Sequence, residues 1–242
     1  MKNIFLLMIL GTFVFGQNNT IVLANETSWP PHYGKELKNG GYTTEIISKA
    51  MKAVGYNVEI KWLNWNRALA LSSKGIYDGL GACYYNKNRA EKFAFTNPIG
   101  DTQTVFFKLK TKKINYKKLE DLKSYKIGTA KGYGYPEKFK EATFLNTIDA
   151  PKLEFNIRKL LNNRIDLVIG SKKVTQFLLN NNYQKDKARI EIIQPVIDSM
   201  PLYVAFSKNS TGYEQKVKDF NKGLKIIKSN GTFDKILKKH GF

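Results

Sequence analysis

Residues 20–63 read TIVLANETSWPPHYGKELKNGGYTTEIISKAMKAVGYNVEIKWL. TIVLANE is apolar and β-branched enough for a buried strand, and the proline-rich SWPPHYG that follows is a loop. TTEIISKAMKAVG offers Thr43 or Thr44 as a helix N-cap, apolar residues at Ile46, Ile47, Ala50, Met51 and Val54, and Gly55 as a stop. YNVEIKWL alternates with the period of a strand. A strand, a helix and a strand in so short a span make the unit of a parallel α/β sheet.

The pattern repeats outward from this unit. NRALALSSKG is a short helix closed by Gly75, YDGLGAC a buried strand, and FAFTNPI leads into TQTVFFKL, a β-run long enough to leave one unit for another. A second cycle follows: LEDL as a helical turn, YKIGTA as a strand, YPEKFKEA as a helix opening after GYG, and FLNTI as a strand. PKLEFNIRKLLNN is a helix with Pro151 at its start, RIDLVIG a strand and KKVTQFLLNN a helix. ARIEIIQPV and PLYVAFSK read as strands, and two amphipathic helices, YEQKVKDFNKGLKIIKSNG and FDKILKKHG, end the chain. Two α/β units joined by extended β-segments, with no low-complexity tether, predict two lobes that share a hinge and hold a ligand in the cleft.

The amino terminus points to export. Lys2 precedes a run from Ile4 to Phe15 that is apolar except for Gly11 and Thr12. A membrane-spanning helix needs roughly 20 apolar residues, whereas a positive start, a short apolar run and small residues before a cleavage point make a signal peptide. Cleavage is expected near Gly16–Gln17, leaving a soluble, periplasmic protein. No cysteine stands there to carry a lipid, because Cys83 is the only one.

Composition narrows the function. Of 242 residues 42% are hydrophobic and 13% aromatic, enough to close a core, so disorder is excluded. One cysteine and two histidines, His32 and His240, exclude a disulfide and a thiolate metal cage, so no metal or cofactor is expected. The 40 Lys+Arg against 20 Asp+Glu leave a net charge of +20. Nucleic-acid binding would need those charges on one face; here they are scattered, lysine-rich and arginine-poor, even in the dense KLKTKKINYKK of residues 108–118. That is the pattern of a solvated surface.

In their order these segments resemble the extracellular solute-binding proteins of family 3, the periplasmic receptors of polar amino-acid ABC importers. The resemblance covers essentially the whole chain after the signal. It rests on WPP at 29–31, GYTTEI at the first helix, WNRAL at 65–69, YDGL at 77–80 and NKNRAEKFAFTNPI at 86–99. It continues through LEDLKSYKIGTAKGYGY at 119–135, RIDLVIG at 164–170 and NGTFDKILKKHG at 230–241. It implies a two-lobed Venus-flytrap fold, the type II periplasmic-binding-protein architecture, with a two-strand hinge. Residues 1–16 would be the signal, 17–105 and 202–242 the first lobe, and 106–201 the second. A monomer is the family expectation.

Candidate site residues follow from chemistry and from this resemblance. A guanidinium is a rigid fork that binds carboxylate bidentately. Arg89 matches the family arginine that clamps a ligand carboxylate; without that resemblance, a surface residue pairing with Glu91 is the stronger reading. Trp29, Tyr33 and Trp65 stand in or beside loops after strands, where α/β sheets build their pockets, and their rings suit an apolar or cationic group. Core packing is the competing reading for Trp65. Tyr84, at the end of the YDGLGAC strand, joins this set. Arg67 is a second anion contact or a partner for Asp78. Gly132, Tyr133 and Gly134 join a strand to a helix, where backbone N–H groups converge on an anion, although a glycine pair is often only a turn.

Some positions depart from the family pattern. Amino-acid binders of the family place a hydroxyl at the position of Gly134, serines near Gly81, Ala82 and Tyr84, and an aspartate for the ammonium at the position of Ser171. Glu26 is the best substitute acid. The expected function is capture of a small polar, carboxylate-bearing solute, an amino acid or a relative, by lobe closure for an ABC permease in the inner membrane. The alternatives are a cyclohexadienyl or arogenate dehydratase-like enzyme on the same scaffold, with Glu26 as general acid, and a sensor receptor for a membrane kinase. No Ser-His-Asp or Cys-His constellation is visible, and Cys83 reads as inert core.

Overall fold

The computed structural model describes residues 19–131 and 133–242. The expected signal peptide and Gly132 lie outside the described residues. The first unit contains β1 (Thr20–Glu26), the short pair β2 (Ser28–Trp29) and β3 (Tyr33–Gly34), α1 (Tyr42–Lys52) and β4 (Asn57–Leu63). It goes on through α2 (Trp65–Ser73), β5 (Gly79–Tyr84), α3 (Lys87–Lys92) and β6 (Phe93–Phe95). The long β7 (Gly100–Leu109) leads to the second unit: β8 (Ile127–Ala130), α4 (Glu137–Lys140), β9 (Thr147–Ala150), α5 (Leu153–Leu161), β10 (Leu167–Ser171) and α6 (Lys172–Asn182). An 18-residue strand, β11 (Ile190–Ser207), returns to the first unit, where α7 (Tyr213–Ser229) and α8 (Thr232–Lys239) close the chain.

The strands form one nine-stranded sheet in the order β4-β1-β5-β11-β7-β10-β8-β9, with β6 also on β11. Pairing is parallel within each unit, β4 and β5 flanking β1 and β10 and β9 flanking β8. It is antiparallel through the two hinge strands, β7 and β11. These pair in two runs, Asp198–Leu202 with Gly100–Thr104 and Ile190–Ile193 with Phe106–Leu109. Between the runs β11 has four residues, 194–197, where β7 has only Val105. The ladder is therefore interrupted midway between the lobes.

Strand alternation gives each lobe a core on both faces of its sheet. In the first lobe Ile21, Leu23, Ile46, Ile47, Met51, Phe206 and Phe220 pack on one side, and Ala24, Leu80, Cys83, Phe93 and Ala205 on the other. In the second, Val105, Phe107, Leu153, Ile157 and Val168 face α5 and α6, while Phe106, Ile127, Phe139, Leu167 and Ile169 fill the opposite face. The first-lobe clusters draw on residues up to Ile99 and from Leu202 onward.

Several local expectations are corrected. The N-cap of α1 is Gly41, at φ 93°, and neither Thr43 nor Thr44. The Thr43 hydroxyl donates instead to the His32 carbonyl at 2.7 Å, and a Cβ on Gly41 would lie 2.5 Å from that same oxygen. Close approach of the proline loop therefore selects glycine. The helix ends at Lys52, short of Val54. YPEKFKEA yields only one turn, α4, and ARIEIIQPV and PLYVAFSK are one strand. Lys108 departs from the solvated reading of its run: it is buried, paired with Glu191, and donates to the Lys112 carbonyl at 2.7 Å.

Candidate functional site

The parallel strands β1 and β5 deliver Glu26 and Tyr84 to their carboxyl ends, where an α/β sheet opens its crevice. Just beyond β1, the β2–β3 pair fixes Trp29 against its neighbours. Its ring packs on His32 at 4.2 Å, tilted by 32°, and meets Tyr33 and Tyr84 edge-on at 5.5 and 5.6 Å. Asn64 caps α2 by accepting from the Arg67 amide at 2.9 Å, which sets Trp65 as its first residue. Asn86 caps α3 by accepting from the amides of Asn88 and Arg89, placing Arg89 in the first turn.

From there the Arg89 guanidinium folds back. Its Nη1 donates to the Tyr84 carbonyl at 2.7 Å, and its carbon lies 4.9 Å from the centre of the Trp65 ring. It does not pair with Glu91, and among the described residues no carboxylate lies within salt-bridge distance of it. A guanidinium has five N–H donors, so a fork remains for a ligand. Glu26, Trp29, Tyr33, Trp65, Ala82, Cys83, Tyr84 and Arg89 together line a cleft of about 250 Å³.

A second cavity of about 290 Å³ shares Trp29 and Tyr84 with the first and reaches across to the other lobe. Its far wall is Tyr133, Gly134, Tyr135, Gly170, Ser171 and Val174, and its floor is the hinge, Thr102, Thr104 and Met200. Pairing of β10 with β7 sets Ser171 beside Thr104. Ser171 Oγ is shielded and has no hydrogen-bond partner among the described residues. The Tyr135 hydroxyl accepts from the Ala130 amide at 2.7 Å and so holds its ring 6.1 Å from that of Tyr133, nearly parallel.

The electrostatics are simple. Burial raises the phenols of Tyr33 and Tyr84, and raises that of Tyr135 to about 12, so all three are neutral donors at neutral pH. Burial pushes the Cys83 thiol up to about 12 against the opposing charge of Arg89, in keeping with an inert core residue. His32, buried behind Trp29 with Nδ1 2.8 Å from the Tyr42 hydroxyl, is lowered to about 3, first by burial and then by Lys173. Neither histidine lines the cleft, and among the described residues no His, Cys, Asp and Glu cluster is placed to hold a metal.

The family model for bacterial extracellular solute-binding proteins, family 3, matches residues 21–242. The chain belongs to that family. Two curated relatives are each 24% identical to it. One is the probable histidine-binding protein of Campylobacter jejuni, matched over 87% of this chain and 80% of that protein. The other is the arginine-binding extracellular protein ArtP of Bacillus subtilis, matched over 90% and 85%. Among solved structures, the unliganded open form of the L-cystine solute receptor of Neisseria gonorrhoeae superposes with a TM-score of 0.75 at 21% identity, over 92% of this chain and 94% of that one. Among the described residues no helix is long and apolar enough to cross a membrane.

In this family 3 protein the cleft gathers Glu26, Trp29, Tyr33, Trp65, Tyr84, Arg89, Tyr133, Gly134 and Ser171. Arg67 is left out: its residue is exposed on α2 and lines neither cavity. Nor does it meet Asp78, whose carboxylate binds Lys216 at 2.5 Å, Ser210 and the Val22 amide. The anion nest expected at Gly132–Gly134 finds little support in the described part, because the Tyr133 and Tyr135 amides bond within the turn and α4 is a single turn. Thr102, Thr104, Tyr135, Gly170, Val174 and Met200 were not singled out by sequence. A hinge strand shows which of its residues floor the cleft only once its partner and register are known.

Proposed function

We propose that this protein captures a small polar, carboxylate-bearing solute, an amino acid or a close relative, and hands it to an ABC permease of the inner membrane. It does so from the periplasm, as a monomer and after removal of residues 1–16, by closing residues 106–201 onto a first lobe made of 17–105 and 202–242. The observation that carries this reading is the Arg89 guanidinium, aimed into a first-lobe cleft that adjoins the interlobe cavity through Trp29 and Tyr84, with no carboxylate among the described residues bound to it. An unpaired cation in a half-enclosed aromatic site favours an anionic group brought by the ligand.

Closure needs no separate trigger. A solute held by Arg89 on one wall and by groups on the other binds the closed arrangement more tightly than the open one and selects it in proportion. Family membership and the names of both relatives support binding rather than catalysis. Thermal-shift and calorimetric panels of amino acids, dicarboxylates, aromatic acids and prephenate test the reading, because a ligand at a thousand times its Kd adds about 4 kcal/mol to stability. The expected result is one strong binder whose affinity falls about 100-fold or more in Arg89→Ala, the loss of a charged bidentate pair. Undiminished binding by Arg89→Ala overturns the carboxylate clamp, and turnover of prephenate overturns the receptor assignment.

A further inference from the structure

Lysines that are scattered along the sequence converge on one face of the first lobe. There α1 buries Ile46 and Met51, α7 buries Phe220 and Leu224, and α8 buries Ile236, all in the same core, so the three helices form one layer. α7 crosses α1 so closely that a Cβ at Gly223 would lie 2.0 Å from the Ala50 carbonyl oxygen, and Lys239 of α8 pairs with Glu45 of α1 at 2.7 Å. On the outer side of this layer Lys218, Lys222 and Lys225 follow one another at i, i+4 and i+7 along α7, all exposed. Lys228, one turn on, holds its Nζ 5.2 Å from the centre of the Phe233 ring. Lys49 and Lys52 of α1 and Lys235 and Lys238 of α8 are exposed as well. Among the described residues none of these eight lysines has a carboxylate within 4.0 Å, and the exposed acids on the three helices are Glu214 and Asp234 alone.

We propose that this lysine face docks the protein on the surface of an anionic phospholipid bilayer. Like charges at i, i+3 and i, i+4 oppose a helix, so the row on α7 does nothing for the fold and gains only from opposite charge outside it. The chemistry favours lipid head groups over a protein partner. Every basic residue on the three helices is a lysine. Lysines are hydrated point charges suited to a diffuse anionic surface, whereas arginine supplies the rigid fork of a specific interface. The face also lacks an anchor. The exposed large apolar side chains of the described residues are Ile76, Tyr85, Tyr133, Phe144 and Phe155, none of them on α1, α7 or α8, and specific protein interfaces are built around such side chains. None of the eight lysines lines the cleft or the interlobe cavity, so docking draws on no group that would hold a solute. For a protein that hands its solute to a membrane permease, the attraction would concentrate it where the handover takes place.

Co-sedimentation of the purified protein with vesicles tests this. Phosphatidylcholine and phosphatidylglycerol mixed at about 2:1 are compared with pure phosphatidylcholine at about 0.1 M salt, where charges more than about 10 Å from the lipid are largely screened. The expected result is partitioning about 100-fold or more stronger onto the mixed vesicles, lost at about 1 M salt. Replacing Lys218, Lys222 and Lys225 together by Gln is expected to remove most of that gain, at about fivefold per lysine. The matching control replaces Lys110, Lys113 and Lys117, three exposed lysines of the second lobe outside any ion pair, and is expected to cost less than about fivefold. Equal losses from the two triple variants would make bulk charge the cause and overturn the docking face. Equal partitioning onto pure phosphatidylcholine overturns the anionic lipid. Tighter binding, per anionic charge, to poly-L-glutamate than to the mixed vesicles assigns the face to an acidic polypeptide and overturns the lipid reading. Should the α7 variant melt early, Lys235→Gln with Lys238→Gln on α8 takes its place. That pair is expected to cost about 10-fold or more, and undiminished partitioning overturns the proposal.

Discussion

On the first-lobe wall of the cleft, Glu26, Trp29, Trp65 and Arg89 are set by separate local devices: a strand end, a short β-pair and two asparagine caps. Behind them Trp29 rests on a fully buried His32, and Gly81 is pressed against Asn25. The second-lobe wall is different. It carries no charge, its Tyr133 is 40% exposed, and a side chain added at Gly134 would meet no atom within 4 Å. The contrast teaches which half recognises and which half encloses. On the proposed function, charges fixed on a braced wall would set the ligand's orientation before closure, and a neutral, roomy wall would add contact area afterwards.

Paired glycine variants are the sharpest way to break this comparison. A Cβ at Gly81 would lie 2.5 Å from Asn25 Oδ1, which is held by the Ala82 amide at 3.2 Å and cannot swing away freely. Gly81→Ser is expected to cost about 2 kcal/mol or more, or about 4–8 °C in Tm, and Gly134→Ser less than about 0.5 kcal/mol. Equal melting temperatures for the two would mean that the near wall is no stiffer than the far one.

A second test uses pH. His32 is neutral in the fold with its pKa lowered to about 3, whereas in the unfolded chain it titrates near the ordinary imidazole value of 6.5. The unfolded state therefore binds the extra proton below pH 6.5, and stability is full above that value and declines as pH falls toward 3. Between pH 6.5 and 5 the loss is about 2 kcal/mol, which denaturant titration of wild type against His32→Gln resolves as a pH slope present only in the wild type. The Glu45 carboxylate, lowered to about 2 by hydrogen bonds from Asn39, Lys239 and His240 that outweigh its burial, loses its contribution between about 4.5 and 2. That window overlaps the lower part of the histidine range, so the His32 slope is read between pH 6.5 and 5, above it.

The smallest effect belongs to the far wall. Tyr133→Ala is expected to weaken solute binding several-fold, through one lost aromatic contact, and to leave Tm within about 2 °C, because the residue is already partly exposed. A loss as large as that of Arg89→Ala would mean that the second lobe recognises as strongly as the first.

Much of the architecture was legible because it rests on local periodicity. The alternation of TQTVFFKL and the β-branched runs of TIVLANE and RIDLVIG fixed buried strands, and their order fixed two lobes and a two-strand hinge. Arg89 and Glu26 were singled out through the family resemblance and Trp29 through its place in a loop after a strand, and all three line the cleft. What escaped depended on contacts far apart in sequence. Thr43 carries a good capping side chain, but the returning proline loop claims its hydroxyl. Arg67 shares a helix with Trp65, yet the helix turns it to solvent. Thr102 reaches the site through the Tyr84 hydroxyl, 2.8 Å away, on a strand whose neighbours no local pattern names.

The interrupted ladder between β7 and β11 has a mechanical meaning. A continuous ladder would act as a leaf spring, returning the lobes to one angle and opposing every closure in proportion to the bend. Residues 194–197 instead separate two stiff pairs of rungs by a short stretch without rungs, so the two lobes are joined as by a cloth hinge between boards. Across that stretch β7 keeps its pairing with β10, Val105 with Gly170 and Thr104 with Ser171, so the interruption is in the β7–β11 ladder alone. One contact between the lobes is Lys173 of α6, which lies over the first-lobe Tyr42 ring at 5.2 Å. If the protein closes on its solute as proposed, that gap in the β7–β11 ladder is where the two lobes would turn with the fewest β7–β11 rungs to bend.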